Sequence, residues 1–224
     1  MSKHMSKSPF EEYVIQNGRL VGEFESLYEK FDDPWNQSRL DQVQDTRRSI
    51  ALAQCLYLRS SNPPDQVSRV VEIGCGFGHL TDYLRHQGFS AVGVDVSKTA
   101  VAKARDKNPS SVFINASIDS PSLLETLDPD VVIMAEVTWY VLDKLSDFLD
   151  RLKEHALSRQ RPTYLIHLLT TYPAGVQKYG REYFTDLEGI LDFFNLDYIE
   201  SGFVQVNREQ DPDSQGTYFV ARLS

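Results

Sequence analysis

Short apolar runs alternate with segments of helical periodicity along most of the chain. The apolar runs, typical of buried strands, lie near residues 69–74, 90–95, 111–115, 130–135 and 163–169. Helical patterns lie between them, near residues 77–87, 97–107, 120–127 and 144–157. This repeated alternation predicts an α/β fold built on a parallel sheet.

Both ends of the chain depart from that alternation. Leu196–Val206 and Thr217–Leu223 are β-rich runs joined by a polar stretch, Asn207–Gly216, that leaves no room for a helix. We expect the two runs to pair as an antiparallel hairpin. Ahead of the first strand, Gln44–Arg59 has a helical pattern. The sequence therefore predicts an N-terminal arm and helical lid over residues 1–60 and one α/β domain over residues 61–224.

A glycine-rich turn directly follows the first predicted strand. It reads Glu72-Ile73-Gly74-Cys75-Gly76-Phe77-Gly78. Glycine permits positive φ and lacks a Cβ, so a ligand can approach the backbone of such a turn closely. An ordinary strand-to-helix turn is the alternative interpretation. The dinucleotide fingerprint needs a further glycine where this chain has His79, which argues against a nicotinamide cofactor.

An acidic residue ends the second predicted strand. Asp95 follows the glycine turn by about 20 residues, the spacing at which doubly wound folds place a carboxylate against a ribose diol. The alternative is that Asp95 caps the next helix, a role that Ser97 also suits. The spacing favours ribose binding.

These residues resemble the class I S-adenosylmethionine-dependent methyltransferases, whose first motif E/D-x-G-x-G-x-G is matched by Glu72, Gly74, Gly76 and Gly78. The resemblance implies a Rossmann-like doubly wound sheet of seven strands, ordered 3-2-1-4-5-7-6 with the last strand antiparallel. It implies S-adenosylmethionine as cofactor and S-adenosylhomocysteine as product.

By the same resemblance, Asp95 would bind the ribose hydroxyls and Val96 would pack on the adenine. Cys75 lies within the cofactor loop. The adenine would be flanked by Ala116, Ser117 and Ile118. Many members carry an acid at this point, whereas this chain has none before Asp119, so backbone groups or Ser117 are expected to read the adenine.

The arm contains Asp33-Pro34-Trp35, followed by the pair Arg47-Arg48 at the start of a helical pattern. A D-P-W element before a basic helix is similar to the small-molecule methyltransferases of the nodulation-factor group, in which the arm closes over the cofactor. That likeness implies that Trp35 lies at the cofactor. It also implies that Arg48, or else Arg47, pairs with the methionine carboxylate. The alternatives are a Trp that anchors the arm and an arginine that faces solvent.

Two candidate proton acceptors follow later strands. Glu136 comes after the fourth strand and is expected beside the cofactor's methyl group, where a carboxylate can accept a proton or hold the acceptor. His167 lies in the fifth strand, and a neutral imidazole there can accept a proton near pH 7. The alternatives are a supporting role for Glu136 and a core position for His167.

Aromatic residues near these strand ends are candidates for the acceptor site, because a tyrosine offers both an apolar ring and a hydroxyl. They could equally serve only to pack a loop against the core. The candidates are Trp139, Tyr140, Tyr172, Tyr179 and Tyr183.

Composition narrows the possible partners. The chain has 224 residues and a net charge of −9, which argues against nucleic acid, because binding phosphates requires clustered Lys and Arg. No apolar run approaches the roughly 18 to 20 residues of a membrane span. Cys55 and Cys75 have no metal-ligand spacing, so no metal site is expected. We expect a cytoplasmic monomer or homodimer.

The function expected from the sequence is transfer of a methyl group to O or N of a small molecule, such as a sugar, a saccharide-linked group or a secondary metabolite. A protein methyltransferase and an NAD-dependent oxidoreductase on a similar sheet are the alternatives. A non-catalytic binding protein is disfavoured, because both the glycine turn and the ribose acid are intact.

Overall fold

The computed structural model describes residues 11–38, 42–172, 176, 179–204 and 215–223, with the backbone alone for residues 11 and 42–45. The N-terminal part contains short helices and a small hairpin. Its elements are α1 (Glu11–Val14), β1 (Ile15–Gln16), β2 (Arg19–Leu20), α2 (Phe24–Lys30) and α3 (Gln42–Ser61).

Strands and helices then alternate as predicted. The first half runs β3 (Arg69–Ile73), α4 (His79–His86), β4 (Ser90–Asp95), α5 (Lys98–Lys107), β5 (Val112–Asn115), α6 (Leu123–Leu127) and β6 (Val131–Ala135). A 3₁₀ turn over Thr138–Tyr140 follows, and then α7 (Leu142–Ser158), β7 (Tyr164–Thr171), α8 (Leu187–Phe194), β8 (Asp197–Val204) and β9 (Gln215–Arg222).

Seven strands form one sheet in the order β5-β4-β3-β6-β7-β9-β8. The first five are parallel, whereas β9 pairs antiparallel with both β7 and β8. This confirms the predicted strand order and the C-terminal hairpin. Most of the predicted turn, residues 207–214, lies outside the described residues, as does Gly175 in the loop after β7.

The central strands are apolar because helices cover both faces of the sheet. All eight residues of β7 are buried, as are the first four of β6. On one side α7 contributes Leu145, Phe148 and Leu152, each fully buried in the larger core cluster. On the other side α3 contributes Cys55 and Leu58 to a second cluster.

Two helices begin later than the sequence pattern suggested, for local reasons. α4 begins at His79 rather than residue 77, because Gly76 and Gly78 have φ of +52° and +72° and keep the chain in a turn. α5 begins at Lys98, because the Ser97 hydroxyl caps it by accepting a hydrogen bond from the Ala100 N–H at 3.0 Å. Ser97 therefore caps this helix, and Asp95 does not.

The arm is held against the domain at α5. The Glu25 carboxylate accepts hydrogen bonds from the hydroxyls of Ser97 at 2.7 Å and Thr99 at 2.8 Å. Lys103 donates to the backbone carbonyls of Tyr28 at 2.7 Å and Phe31 at 2.9 Å. These contacts place α2 beside the carboxyl end of β4. The carboxyl ends of parallel strands share one edge of the sheet, which is where open α/β sheets bind ligands.

Candidate active site

The three glycines of the turn after β3 have different surroundings. A Cβ on Gly74 would lie 2.5 Å from the Val137 side chain, and one on Gly78 would lie 2.1 Å from the Phe113 ring. At Gly76 a Cβ would meet only the side-chain amide of Gln37, at 2.4 Å. Gly74 and Gly78 therefore permit close packing inside the domain. At Gly76 the backbone carries no side chain, and the flexible side chain of Gln37 from the arm covers it.

Asp95 lies against this bare backbone. One carboxylate oxygen accepts a hydrogen bond from the Gly76 N–H at 2.9 Å, and the other accepts from the Ser97 N–H at 2.9 Å. Burial raises the pKa of Asp95, and these backbone hydrogen bonds oppose the rise. A carboxylate offers about four lone-pair positions. Asp95 therefore retains acceptor capacity for hydroxyl groups of a ligand.

Glu72 is the buried acid of the same turn. The Thr81 hydroxyl donates to its carboxylate at 2.5 Å, and burial raises the pKa of Glu72 to about 7. Arg48 opposes that rise electrostatically. Arg48 also donates to the backbone carbonyl of Gln37 at 3.1 Å. Cys75 is buried next to Glu72, and burial raises the pKa of its thiol well above the usual range.

The raised pKa of Glu72 predicts a pH dependence of stability. Between its ordinary pKa of 4.5 and about 7, the folded chain retains a proton that the unfolded chain releases. The corresponding stabilisation is complete below pH 4.5 and is lost as the pH rises through 7. We expect Glu72→Gln to remove roughly 1 to 3 kcal/mol of the decline in unfolding free energy between pH 5 and 8.

Urea unfolding of the ligand-free chain at several pH values tests this expectation. Glu154→Gln is the matched control, because Glu154 is exposed near the far end of α7. Parallel pH profiles for the wild type and Glu72→Gln would show that Glu72 is ionised in the folded chain throughout the range.

The predicted adenine-binding residues lie at the ends of β4 and β5. Val96 is 52% exposed beside the buried Asp95, an arrangement that offers an apolar surface next to a ribose site. Ala116 donates its N–H to the Asp95 carbonyl at 3.1 Å, whereas Ile118 is buried in the core. Ser117 lies beneath Lys144, and its hydroxyl accepts from that ammonium at 3.5 Å.

Lys144 of α7 contacts the segment that follows β5. Its ammonium lies 2.7 Å from the Asp119 carboxylate. Hydrogen bonds from Lys144 and Ser117 lower the pKa of Asp119. Asp119 is therefore engaged with Lys144, a contact that the sequence did not indicate because the two residues lie far apart in the chain.

The arm covers the glycine turn. The side-chain oxygen of Gln37 accepts from the Phe77 N–H at 3.0 Å, and the Gln37 N–H donates to Asp33 at 2.7 Å. The Trp35 ring lies 5.3 Å from the ring of Tyr140, between centroids. Trp35 thus packs across the site onto the segment that follows β6. Gln37 was not anticipated, because a glutamine in a loop carries no distinctive pattern.

A carboxylate at the end of β6 meets the arm. Glu136 has φ of +59°, a left-handed conformation that is uncommon for a residue with a side chain. Its carboxylate accepts from the Thr170 N–H and the Thr170 hydroxyl, both at 3.1 Å. The Arg47 guanidinium lies 3.2 Å from the same carboxylate. Of the two adjacent arginines, Arg47 therefore contacts Glu136, and Arg48 lies towards Glu72.

His167 and Trp139 occupy interior positions. The His167 ring is fully buried, stacks on Phe219 with centroids 4.7 Å apart, and shares a 2.8 Å hydrogen bond with the Thr138 hydroxyl. Burial lowers the pKa of His167 to about 3. The Trp139 N–H donates to the Thr170 carbonyl at 2.8 Å. These positions match the core alternative for His167 and the packing alternative for Trp139, whose ring is buried.

The tyrosines after β6 and β7 have mixed environments. Tyr172 and Tyr183 are 38% and 37% exposed, whereas Tyr179 is half-buried against the core. Burial raises the pKa of Tyr140 well above the usual range, and Tyr172 and Glu136 add to the rise electrostatically. Tyr140 therefore lies near enough to Tyr172 and Glu136 to interact with both electrostatically.

Comparison of the sequence with known proteins shows which family this chain belongs to. A family model described as a methyltransferase domain matches residues 45–211. The chain belongs to the methyltransferase-domain family. Membership confirms the resemblance to the class I S-adenosylmethionine-dependent methyltransferases and, with it, the class of cofactor.

Curated relatives of this methyltransferase-domain chain match part of its length. The chain is 30% identical to Nodulation protein S of Azorhizobium caulinodans over 112 residues, which are 50% of this chain and 51% of the relative. It is 31% identical to a ubiquinone biosynthesis O-methyltransferase of Pelagibacter ubique over 88 residues, 38% of this chain and 37% of the relative. The chain thus spans about half or less of these relatives.

Solved structures share the fold over most of the chain. The N-methyltransferase NodS of Bradyrhizobium japonicum, solved with S-adenosylhomocysteine, has a TM-score of 0.63 and 20% identity, covering 92% of this chain and 99% of NodS. The carbon methyltransferase of CurJ has a TM-score of 0.65 and 18% identity, covering 92% of this chain and 62% of that structure.

Two further observations concern the described part of the chain. None of its helices is both long and apolar enough to cross a membrane. The same residues contain no group of three or more His, Cys, Asp or Glu side chains arranged to hold a metal ion.

Proposed function

We propose that this methyltransferase-domain chain transfers a methyl group from S-adenosylmethionine to O or N of a small acceptor molecule. The observation that carries the proposal is the meeting of two kinds of group at one edge of the sheet. The bare Gly76 backbone follows β3, and the buried Asp95 is the last residue of β4. Glu136 and Tyr140 follow β6. The arm joins the two, because Trp35 packs on Tyr140 and Gln37 covers Gly76.

The residues around the glycine turn suit a nucleoside with an amino-acid tail. Asp95 would accept hydrogen bonds from the ribose hydroxyls, with Val96 against one face of the base. The close approach at Gly76 would require the Gln37 amide to shift, which a flexible side chain permits at little cost. Arg48 would pair with the tail carboxylate, because its guanidinium already lies between Gln37 and the buried Glu72.

The acceptor side is assigned to Glu136 and the phenols near it. The cofactor supplies the reactive methyl group when bound, so the protein needs mainly to align the acceptor, exclude water and receive a proton. Glu136 is the candidate proton acceptor or acceptor anchor, and Tyr140 and Tyr172 are candidate hydrogen-bonding walls. Tyr183 is exposed enough to extend that wall. The His167 ring is enclosed in the core, so the proposal gives His167 no role as a base.

Small acceptors are supported by the relatives. The ubiquinone biosynthesis O-methyltransferase is named for the synthesis of a small molecule, and this supports a small acceptor here. One relative is described as an N-methyltransferase and another as an O-methyltransferase, so both acceptor atoms stay in the proposal. A net charge of −9 is also unfavourable for a phosphate-backbone substrate.

Calorimetric titration with S-adenosylhomocysteine, with NAD as a parallel ligand, tests the proposal. We expect the chain to bind S-adenosylhomocysteine in the micromolar range, about −8 kcal/mol, and not to bind NAD. Binding of NAD alone would favour the oxidoreductase alternative, since His79 would then be tolerated in place of a glycine. Binding of neither ligand would reject the cofactor assignment.

A further inference from the structure

Arg47 links the arm to Glu136 through a contact that none of the expected cofactor roles requires. Its Nε lies 3.2 Å from one Glu136 carboxylate oxygen. Another nitrogen of the same guanidinium donates to the Thr170 hydroxyl. That hydroxyl in turn donates to Glu136 at 3.1 Å. Three groups, from α3, from the residue that follows β6 and from β7, therefore form one closed cluster.

The cluster is partly shielded from solvent, which strengthens the interaction between its charges. The Arg47 and Glu136 side chains are only 20% and 31% exposed. An ion pair in such a place is screened less than one at the surface. Glu136 also has a left-handed backbone with φ of +59°, a conformation that residues with a side chain rarely adopt. Strained backbone of this kind is concentrated at functional sites.

We propose that Arg47 is a positioning residue that keeps Glu136 ionised and aimed at the methyl-transfer position, so that this carboxylate faces the sulfonium of the bound cofactor. The inference deepens the proposed function and rests on it. It gives the two adjacent arginines different roles. Arg47 holds the Glu136 carboxylate at the transfer position, and Arg48 binds the tail carboxylate of the cofactor.

The groups around Glu136 explain why a cation is needed there. Burial raises the pKa of Glu136, and Arg47 and the hydrogen bonds from Thr170 oppose that rise. Among the described side chains, Tyr140 also interacts electrostatically with Glu136, and Tyr172 interacts with Tyr140. Neither phenol supplies a positive charge. Removal of Arg47 would therefore raise the pKa of Glu136 further and favour its protonated form.

The test compares the affinities of S-adenosylmethionine and S-adenosylhomocysteine at a series of pH values and requires no acceptor. The two ligands differ by the methyl group and the positive charge on sulfur, so their affinity ratio reports a carboxylate that faces the sulfonium. In the wild type, the affinity for S-adenosylmethionine divided by that for S-adenosylhomocysteine is expected to fall as the pH drops and Glu136 is protonated. Glu136→Gln is expected to remove that dependence on pH.

Arg47→Gln is expected to move the midpoint of this fall upward by about one pH unit, the scale of losing an opposite charge within about 4 to 6 Å. Arg47→Lys is expected to restore most of the wild-type profile. Arg48→Gln is the matched control. It is expected to weaken both ligands equally, because both carry the same tail, and to leave the midpoint of the ratio unchanged.

Each other outcome is informative. An unchanged midpoint in Arg47→Gln, with a flat profile in Glu136→Gln, would make Arg47 a purely structural contact. A wild-type profile in Glu136→Gln would show that Glu136 does not face the sulfonium and would overturn the inference. Failure of the wild type to bind either ligand would instead reject the proposed function. Circular dichroism and thermal unfolding identify any variant that fails to fold. If Arg47→Gln does not fold, Arg47→Met, which also removes the charge and keeps an apolar stem, takes its place with the same expected shift.

Discussion

Gly76→Val is expected to abolish detectable binding of S-adenosylhomocysteine while the chain still folds. The added side chain would point into the space now held by the Gln37 amide, with its Cβ 2.4 Å from that group. The amide can move away because it ends a flexible side chain, but the cofactor would then find valine where it needs bare backbone. Calorimetry gives the affinity, and circular dichroism verifies the fold.

Gly88→Val is the control for backbone strain. Gly76 and Gly88 both have positive φ, +52° and +83°, so valine at either position costs about 1 to 2 kcal/mol or more in the left-handed region. At Gly88 the nearest atom to an added Cβ is a nitrogen of Arg59 at 3.8 Å, so no clash arises. Equal loss of S-adenosylhomocysteine affinity in both variants would show that backbone strain at a positive-φ glycine, and not the position of Gly76, causes the loss. Wild-type affinity in Gly76→Val would reject the assignment of this turn.

Glu136→Gln is expected to lower turnover by about 10² to 10⁴-fold, the range for removing a general base. Glutamine keeps the length of the side chain and can still accept from the Thr170 N–H, so the local backbone is preserved. Affinity for S-adenosylhomocysteine, which lacks the sulfonium charge, is expected to change little. The measurement is transfer of labelled methyl from S-adenosylmethionine to whichever member of a panel of amino sugars and phenols the wild type methylates.

Glu154→Gln controls for the chemical change itself, since it converts an exposed carboxylate near the opposite end of α7. Its turnover is expected to equal that of the wild type. Unchanged turnover in Glu136→Gln would reduce Glu136 to a support for the arm. A large loss of S-adenosylhomocysteine affinity in that variant would instead place Glu136 among the groups that bind the cofactor in its ground state.

The glycine turn and the position of Asp95 were predictable from the sequence because local rules define them. A glycine pattern directly after a buried strand specifies a turn, and the end of the next strand specifies where Asp95 lies. The structure places these parts together, with the Asp95 carboxylate 2.9 Å from the Gly76 N–H. Their roles towards the cofactor stay predictions until binding is measured.

The sequence was less informative about the groups that meet across the site. The pair Arg47-Arg48 suggested one cofactor contact, but adjacent residues of a helix point in directions about 100° apart, and only the docked position of α3 assigns them to different carboxylates. The sequence did not indicate a role for Gln37, because a loop residue joins a site only when the loop folds over that site. His167 had two interpretations in the sequence, and its packing between Phe194 and Phe219 places it in the core.

The sequence by itself determined the fold class, because strand and helix periodicity are properties of neighbouring residues. The strand order and the class of cofactor followed from the family resemblance that the glycine motif carries. The tertiary structure alone decided which side chains face each other across the site. It paired Arg47 with Glu136, laid Gln37 on Gly76 and enclosed His167. Such contacts join residues distant in the chain, and they depend on how the arm and the sheet pack, which no local pattern encodes.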